Sequence, residues 1–372
     1  MKKKVIVSVI NDLVTDQRVH KTCMTIKETG FDVLLVGRKL KNSPAMDKRP
    51  YATHRMNLLF TKGPLFYAEF NLRLFFFLLF RKFDLLTSND LDTLLPNYLV
   101  SNIKRKPLIY DSHEYFTEVP ELVNRPRVQK IWKSIEKHIF PKLKEVFTVN
   151  DSIAGLFEKK YGKRPYVVRN VPYKGRVKKR KSRQELGLPE DRFIMILQGS
   201  GINVHRGAEE MVEAMEMIDG AVLLIVGGGD VIDLLKEKAG KPELKDKIIF
   251  KPRLPYDELM QYTVNADLGL TLDKANNINY LYSLPNKLFD YIKAGIPVLA
   301  SHLIEVAQIV KKYEIGDFIP KHDPAIIAEK VNEIMHNEQQ LKKWKANTLK
   351  ASEELNWEKE SQMIKKVYTR YV

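Results

Sequence analysis

The chain has 372 residues, of which 44% are hydrophobic and 29% charged, as in an ordinary soluble globular protein with room for two domains. Its single cysteine, Cys23, excludes a disulfide within the chain and fits a reducing compartment. The net charge of +16 leaves nucleic acid, anionic membrane surfaces and anionic substrates open as partners. No apolar stretch reaches the length of a transmembrane helix.

The first half of the chain alternates buried strands with helices. Residues 4–36 read as a strand, a polar loop, a helix and a second strand, which is how a doubly wound parallel sheet begins. We therefore predict a Rossmann-like domain over residues 1–168. Two charged residues, Asp16 and Arg18, lie at the end of its first loop, which follows the carboxyl end of the first strand. They either face a ligand cleft or form a structural salt bridge with each other.

Polar residues also follow two later strands of this domain. Asn89 and Asp90 end a short strand, and Asp111, His113 and Glu114 end the next one. Three ionisable groups at one strand terminus are costly in a core and sensible in a cleft. The imidazole of His113 can exchange a hydrogen bond with a sugar hydroxyl, or it can have a structural role.

A basic segment separates this domain from a second one. Residues 174–183 are dense in Lys and Arg and have no apolar period, which is typical of a solvated linker. The segment lacks the interleaved aromatic residues of a surface that stacks nucleic-acid bases. We predict a linker over 169–185, a second Rossmann-like domain over 186–352 and a C-terminal helical segment over 353–372.

The second domain opens with another strand, loop and helix. Glycines in its first loop, Gly199 and Gly201, allow a ligand to approach the backbone closely, so Ser200 and Gly201 are candidates for phosphate binding. Arg206 lies at the start of the helix, where its guanidinium can clamp a diphosphate with two hydrogen bonds. The glycine loop alone is weak evidence for a phosphate site.

The strongest candidate site is the stretch 283–298, which reads as a short loop, a helix and a buried strand. Pro285 fits the start of the helix, so the N–H groups of Asn286 and Lys287 would point out of its N-terminus. That end attracts anions, and Lys287 adds a full positive charge. Asp290, one turn further in, can accept hydrogen bonds from ribose hydroxyls. Phosphate and diol recognition together predict a sugar nucleotide.

This stretch resembles the signature of retaining family-4 glycosyltransferases, in which two glutamates eight positions apart precede a small-residue run and Gly-x-Pro-Val. Asp290 falls on the second glutamate and residues 295–298 on the tail, whereas Tyr282 occupies the first glutamate position. The segments Asn89–Leu94 and Tyr110–Glu114 look like the first domain of the same enzymes. The resemblance covers nearly the whole chain.

The resemblance implies an α/β fold of the GT-B type, with two Rossmann-like doubly wound domains facing each other across a cleft. The C-terminal helix would cross back to the first domain. His113 would face the donor sugar, and the base would be read at Arg253 and Leu254, largely through backbone groups. Asp16, Arg18 and Asp90 would then lie on the acceptor side.

Three positions depart from the family pattern. The family has an arginine at Gly201 and a lysine at Arg206, so one cationic clamp is missing and the other has a different head group. Asp290 is one methylene shorter than the usual glutamate. Tyr282 lacks the carboxylate that normally contacts the donor sugar.

We therefore expect a glycosyltransferase that moves a sugar from a UDP- or GDP-linked donor to an acceptor hydroxyl with retention of anomeric configuration. Arg206, Lys287 and the helix N-terminus at Asn286 would stabilise the leaving diphosphate, and His113 is the further catalytic candidate. The resemblance implies front-face attack, in which the departing phosphate helps to deprotonate the acceptor. We expect neither a metal nor a cofactor besides the donor substrate.

The expected acceptor is a glycan or a lipid-linked glycan of cell-surface polysaccharide synthesis, and the expected location is cytoplasmic. Peripheral attachment to the inner face of an anionic membrane is an open alternative. It rests on the net charge and on the aromatic run Leu74–Phe80, whose flanking residues Arg73, Arg81 and Lys82 are basic. The same run reads equally well as a helix buried against a sheet.

Other functions are weaker readings of the same residues. A sugar-nucleotide epimerase of related fold is the main alternative, although only His113 with Glu114 is a partial acid–base candidate. A dinucleotide-dependent oxidoreductase is disfavoured because neither glycine loop fits Gly-x-Gly-x-x-Gly. A nucleic-acid-binding protein rests on charge without a recognised motif, so we expect no nucleic-acid partner.

Overall fold

The computed structural model describes residues 2–43, 45–175, 177 and 181–372. The chain divides into two compact units, of which unit 1 comprises Met1–Asn170 and Glu360–Val372 and unit 2 comprises Val171–Lys359. The predicted linker, residues 169–185, spans this division. Part of it, Arg176 and residues 178–180, lies outside the described residues.

Unit 1 is built from alternating strands and helices. Its strands are β1 (Lys4–Asp12), β2 (Asp32–Lys39), β3 (Ala52–Asn57), β4 (Leu85–Asn89), β5 (Leu108–Ser112), β6 (Glu145–Thr148) and β7 (Tyr166–Val167). Its helices before the division are α1 (Gln17–Glu28), α2 (Gly63–Leu79), α3 (Leu91–Lys104), α4 (Pro120–Val123), α5 (Pro126–Ile139) and α6 (Asp151–Tyr161).

Unit 2 repeats this alternation. Its strands are β8 (Phe193–Gly199), β9 (Ala221–Gly227), β10 (Ile248–Lys251), β11 (Leu268–Thr271), β12 (Val298–Ser301) and β13 (Gly316–Ile319). Its helices are α7 (Ala208–Ala214), α8 (Ile232–Ala239), α9 (Tyr256–Thr263), α10 (Ile278–Leu281), α11 (Asn286–Ala294), α12 (Ile304–Tyr313), α13 (Pro324–Met335) and α14 (Glu338–Glu354), and α15 (Trp357–Tyr368) runs on into unit 1.

Both sheets are doubly wound. The described strands follow the order β3-β2-β1-β4-β5-β6-β7 in unit 1 and β10-β9-β8-β11-β12-β13 in unit 2. Their pairings are parallel, including β1 with β4 and β8 with β11, where the winding changes direction. The predicted pair of Rossmann-like domains is confirmed. In such sheets ligands bind at the carboxyl ends of the strands beside this change of direction.

The chain ends within unit 1. Three apolar residues of the last helix, Ile364, Val367 and Tyr368, are buried there. The Tyr368 hydroxyl lies 2.8 Å from Oγ1 of Thr87 in β4, so the last helix is tied to the sheet of unit 1. Trp357, at the start of α15, instead donates its backbone N–H to the carbonyl of Pro172, and both residues belong to unit 2.

The aromatic run in α2 is buried on one face only. Phe66, Phe70, Leu74 and Leu78 recur at a spacing of four residues and face the core. On the rest of the helix Leu72 and Phe76 are exposed, while Phe75, Phe77 and Leu79 are partly buried. The helix therefore buries one face and exposes another, which agrees in part with each of the two readings of its sequence. Among the described helices none is long and apolar enough to cross a membrane.

Helix α11 is fixed to its sheet through one tyrosine. Tyr291 is fully buried, and its hydroxyl donates to the carbonyl oxygens of Ile196 in β8 and Leu270 in β11, at 3.2 and 3.1 Å. Its ring occupies the space that a side chain at Gly269 would need, because a Cβ there would overlap the ring. The position of α11, and therefore of its N-terminus, depends on this close approach.

We expect Gly269→Ala to lower the free energy of unfolding of unit 2 by about 1–3 kcal/mol, because the added methyl group displaces the Tyr291 ring. Urea denaturation followed by tryptophan fluorescence measures this change. Gly201→Ala is the control, because a Cβ at Gly201 would have no neighbour closer than 3.7 Å. Equal stability of the two variants would contradict the proposed packing constraint.

Candidate active site

Two of the predicted phosphate-binding cations share one buried carboxylate in unit 2. Arg206 Nη1 lies 2.7 Å from Asp273 Oδ1, and Lys287 Nζ lies 3.1 Å from Asp273 Oδ2. The Asp273 side chain is fully buried, just after β11 at the switch point of the sheet. Burial alone would raise its pKa, but the neighbouring Lys287 and Arg206 charges hold the pKa of this carboxyl below its ordinary value. The cluster therefore keeps an excess of positive charge.

The backbone around Arg206 is shaped to place it against β11. The residues on either side of it, His205 and Gly207, both have positive φ angles, 69° and 72°. A Cβ on Gly207 would overlap the carbonyl oxygen of Leu272, so only glycine allows this approach. The N–H of Lys274 donates to the His205 carbonyl at 2.9 Å and fixes the loop from the other side.

Two buried polar atoms near the cluster have no hydrogen-bond partner among the described residues. They are Nε of Arg206 and Oγ of Ser283. Tyr280 connects them, since its ring lies 4.5 Å from the Arg206 guanidinium carbon and its carbonyl accepts the Ser283 N–H. Buried polar groups are almost always satisfied, so these two atoms have capacity for further hydrogen bonds.

The N-terminus of α11 lies where the sequence predicted it. Pro285 is the capping residue and Asn286 and Lys287 are the first two helical residues. First-turn N–H groups point out of such a helix end and carry its positive dipole. Asn286 is solvent-exposed, whereas only 13% of the Lys287 side chain is exposed because it turns toward Asp273.

The predicted ribose ligand, Asp290, contacts the same sheet edge. Its carboxylate accepts a hydrogen bond from the Tyr256 hydroxyl at 2.9 Å and one from the Gln198 amide at 3.3 Å. Burial, and then the Asp290 charge, raise the pKa of Tyr256. Each carboxylate oxygen can accept more than one hydrogen bond, so Asp290 keeps capacity for a diol.

The glycine loop rests on a second glycine turn. A Cβ at Gly227 would overlap the Gly199 carbonyl, and one at Gly229 would overlap the Ile202 carbonyl. The positions that require glycine are therefore Gly227 and Gly229, in the supporting turn. Gly201, by contrast, is exposed and has open space around it.

The predicted base-binding residues follow β10 beside this loop. Arg253 donates from Nη2 to the Ser200 carbonyl at 2.7 Å, and a side chain on Gly228 would press against the Arg253 guanidinium. Leu254 is partly buried between β10 and α9. The structure therefore brings Ser200 and Arg253 together.

In unit 1 the predicted histidine lies between two carboxylates. His113 Nδ1 is 3.2 Å from Asp90 Oδ2, and its Nε2 is 3.2 Å from Asp111 Oδ2. Nε2 is buried, and its contact with Asp111 does not reach ideal hydrogen-bond geometry. Burial alone would lower the pKa of His113, but the charges of Asp90 and Asp111 raise it to about 10.

Asp90 holds this histidine from an uncommon backbone conformation. Its φ and ψ angles are 59° and 167°, in a region that is otherwise occupied almost entirely by glycine. The Asp90 N–H donates to the Asp111 carbonyl, and Asp90 Oδ1 accepts the His113 N–H at 2.7 Å. These contacts keep the residue in place.

The expected salt bridge between Asp16 and Arg18 is wrong. Arg18 is buried and pairs with Asp111 at 3.0 Å, while its Nη1 donates to the carbonyl of Val168. Asp16 caps α1 by accepting the N–H of Val19. An aspartate directly before the first helical residue commonly caps a helix in this way.

Arg18, Asp90 and His113 are thus brought together through Asp111, and Asp16 is not part of that network. From the sequence, Asp111 was expected only as one of three ionisable groups at a strand end, and neither the pairing of Asp273 with both cations nor a role of Tyr256 was predicted. The position of Asp273 at a strand end is the signal for its place at this edge. No group of three His, Cys, Asp or Glu side chains in the described part of the chain is arranged to hold a metal.

We expect the stability of unit 1 to fall as pH rises from 6.5 to about 10, by on the order of 5 kcal/mol from His113. A histidine whose folded pKa lies above its unfolded value stabilises fully below the unfolded pKa and loses that contribution as pH passes the folded pKa. Urea denaturation across this range measures it, and the difference between wild type and His113→Gln should shrink with rising pH.

The matched control for this experiment is His138→Gln. His138 is an exposed histidine of the same unit, bonded to the carbonyl of Ser134. Replacing it should leave the pH dependence of the free energy of unfolding as it is in the wild type. A His113→Gln difference that stays constant between pH 6 and 10 would contradict the charged state of His113.

The two halves of the chain match two family models. Residues 17–171 match glycosyltransferase family 4, and residues 178–351 match glycosyl transferases group 1. Each match falls on one of the two Rossmann-like units, and the second contains the cluster around Asp273. No curated protein was found to match the chain by sequence.

Solved structures share the fold over nearly the full length. Sucrose-phosphate synthase from Thermosynechococcus elongatus superposes with a TM-score of 0.76 at 18% identity, covering 99% of both chains. A glycosyltransferase from Rickettsia africae gives 0.75 at 13% identity, covering 100% of this chain and 98% of its own. Anabaena HepE in complex with UDP-glucose gives 0.73 at 14% identity, covering 99% and 100%. With both family models matched on this two-domain fold, the chain is a GT-B glycosyltransferase of the family-4 type.

Proposed function

We propose that the protein transfers a sugar from a nucleoside-diphosphate donor to an acceptor hydroxyl with retention of anomeric configuration. The observation that carries this proposal is the pair Arg206 and Lys287, held by Asp273 at the N-terminus of α11. Two cations and a helix N-terminus converge on one place, which suits a diphosphate. Asp290, one turn along the same helix, suits the ribose.

The group that most needs stabilisation in the transition state is the leaving diphosphate. Negative charge develops on its bridging oxygen as the bond to the anomeric carbon breaks, and cations fixed beforehand stabilise that charge without reorganising. Asp273 supplies this fixation, because its two oxygens determine where the Arg206 and Lys287 head groups lie. In this proposal Arg206 and Lys287 are catalytic, and Asp273 is a positioning residue.

The proposed transfer occurs on one face of the sugar. The bond from the anomeric carbon to the diphosphate oxygen breaks, and its electron pair leaves with the phosphate. The acceptor oxygen bonds to the same face of that carbon, and its proton passes to the departing phosphate oxygen. The products are the glycoside and a nucleoside diphosphate, so this step needs no protein nucleophile or redox partner.

His113 is proposed to bind the donor sugar as a hydrogen-bond donor. With both ring nitrogens protonated, as its raised pKa of about 10 implies, it can donate but cannot accept. Asp90 and Asp111 orient it, and Arg18 balances the charge of Asp111. The same reasoning leaves His113 unsuited to act as a general base near neutral pH.

The donor base is proposed to bind beside Arg253 and Leu254, with uridine or guanosine as the candidates. The structure of Anabaena HepE was solved with UDP-glucose, which supports a UDP-linked donor for this fold. We further propose a glycan or lipid-linked glycan acceptor in cell-surface polysaccharide synthesis. The enzyme would act in the cytoplasm, peripherally on the inner face of the membrane. No metal or cofactor enters the proposed reaction.

We expect Lys287→Ala to weaken the binding of UDP or GDP by about tenfold to a hundredfold, because a charged hydrogen bond to phosphate is lost. Isothermal titration calorimetry measures the affinity, and nucleotide-induced thermal shifts confirm it. The free nucleosides should bind wild type and variant equally, because they carry no phosphate. Lys236→Ala, on the exposed surface of α8, is the matched control.

Two results would count against the donor site. One is well-folded wild-type protein that binds none of the nucleoside diphosphates or nucleotide sugars. The other is a Lys287→Ala variant whose affinity for the diphosphates equals that of Lys236→Ala.

We expect Gly201→Arg to tighten nucleoside-diphosphate binding by about threefold to tenfold, by restoring the cation that the family has at this position. The substitution is sterically open, because a Cβ at Gly201 meets only the Asn203 side chain, at 3.7 Å or more. Gly201→Gln adds comparable bulk without charge and should bind like wild type. Equal gains from both substitutions would show that charge at this position is irrelevant.

A further inference from the structure

One side of unit 1 exposes large apolar side chains on two neighbouring helices. On α2 these include Leu72, Phe76 and Phe80, which are 60%, 48% and 80% exposed. They lie on a single helical face, opposite the buried row. On α3, which packs against α2, Ile103 is 60% exposed. Monomeric proteins seldom leave such a continuous apolar row in water without a use for it.

A basic groove begins where this apolar row ends. It is a cavity of about 930 Å³ at the amino end of the unit 1 sheet. The cations that line it are Lys2, Lys4, Lys27, Arg81, Lys82, Lys104 and Lys106. The described lining contains two acids, Asp32 and Asp84, which pair with Lys4 and Lys106. The groove therefore keeps a strong positive charge.

The apolar row and the groove form one continuous surface. Arg81 and Lys82 directly follow Phe80 at the end of α2, and Lys104 directly follows Ile103 at the end of α3. Lys104 Nζ donates to the Arg81 carbonyl at 2.6 Å, which holds the two helix ends together. We call this surface, from Leu72 to the groove, the basic–apolar face.

We propose that unit 1 docks on an anionic lipid bilayer through the basic–apolar face. Phe76, Phe80 and Ile103 would enter the interfacial region, and the groove cations would lie among the anionic headgroups. A bilayer surface matches both parts of this face, because its acyl chains suit the apolar row and its negatively charged headgroups, a few ångströms away, suit the cations of the groove. The inference builds on the peripheral location proposed above and does not depend on the donor chemistry of unit 2.

Other occupants match this face less well. A second copy of the chain in a two-fold dimer would bring two basic grooves together, and like charges repel. A nucleic acid would satisfy the cations but would leave aliphatic side chains such as Leu72 and Ile103 without a partner, since single strands are bound by aromatic stacking. The surface also lies away from the carboxyl ends of the strands, where ligands of this fold bind.

Vesicle flotation tests the proposal with the full chain. Wild type should bind vesicles of phosphatidylcholine and phosphatidylglycerol, mixed at about 7:3, and should not bind pure phosphatidylcholine. Two double variants probe the face, Phe76→Ser with Phe80→Ser for the apolar row and Arg81→Glu with Lys82→Glu for the groove. Each should lower the partition coefficient on the mixed vesicles by about tenfold or more.

Matched controls come from exposed positions of unit 2. Met217→Ser with Leu234→Ser removes apolar surface elsewhere, and Lys342→Glu with Lys343→Glu reverses two charges elsewhere. Both should bind vesicles like wild type. The affinity for nucleoside diphosphates is measured on every variant and should equal that of the wild type, which shows that each variant is folded. Loss of vesicle binding and failure of the donor site can therefore be told apart.

Three outcomes would overturn the proposal. The first is a wild-type protein that binds neither vesicle, or both equally. The second is that the variants of the basic–apolar face bind vesicles like the controls. The third is that a single-stranded oligonucleotide displaces the protein from the vesicles and the same two double variants abolish oligonucleotide binding. The last result would assign the face to nucleic acid.

Discussion

The proposed donor site of unit 2 depends on a single buried carboxylate. Asp273 has two oxygens and two cationic partners, so the cluster is neutralised only in part. A buried carboxylate without counter-charge would be costly, and two cations side by side would repel each other. The three groups are stable together, and they retain attraction for an anion. The left-handed residues around Arg206 and the Tyr291 anchor of α11 both serve to bring these groups to the end of β11.

Much of the fold could be predicted because its signals are local. Apolar runs indicated the central strands, and α11 begins after Pro285 and ends before Gly295, whose φ is 76°. The strands β3, β7 and β13 were not predicted. All three lie at a sheet edge and are only partly buried, so they lack the continuous apolar run of a central parallel strand.

The candidate site could be predicted only in part because its contacts are not local. Arg206 and Lys287 stand out in the sequence through a family motif, but 67 residues separate Arg206 from Asp273. Arg18 and Asp111 are 93 residues apart, so the expected pairing of Arg18 with nearby Asp16 was the local choice and was wrong. The aromatic run of α2 was ambiguous for another reason: a helix that buries one face and exposes the other fits both readings of its sequence.

The backbone of Asp90 has a consequence for how this site could evolve. An aspartate at φ 59° and ψ 167° costs about 1–3 kcal/mol that a glycine would not. Glycine would also relieve the like-charge burden beside Asp92, whose pKa is raised by burial and then by Asp90. Glycine would therefore remove the backbone strain, but it would also discard the carboxylate that orients His113 and stabilises its charged form. Backbone strain and the placement of His113 are balanced against each other at this one position.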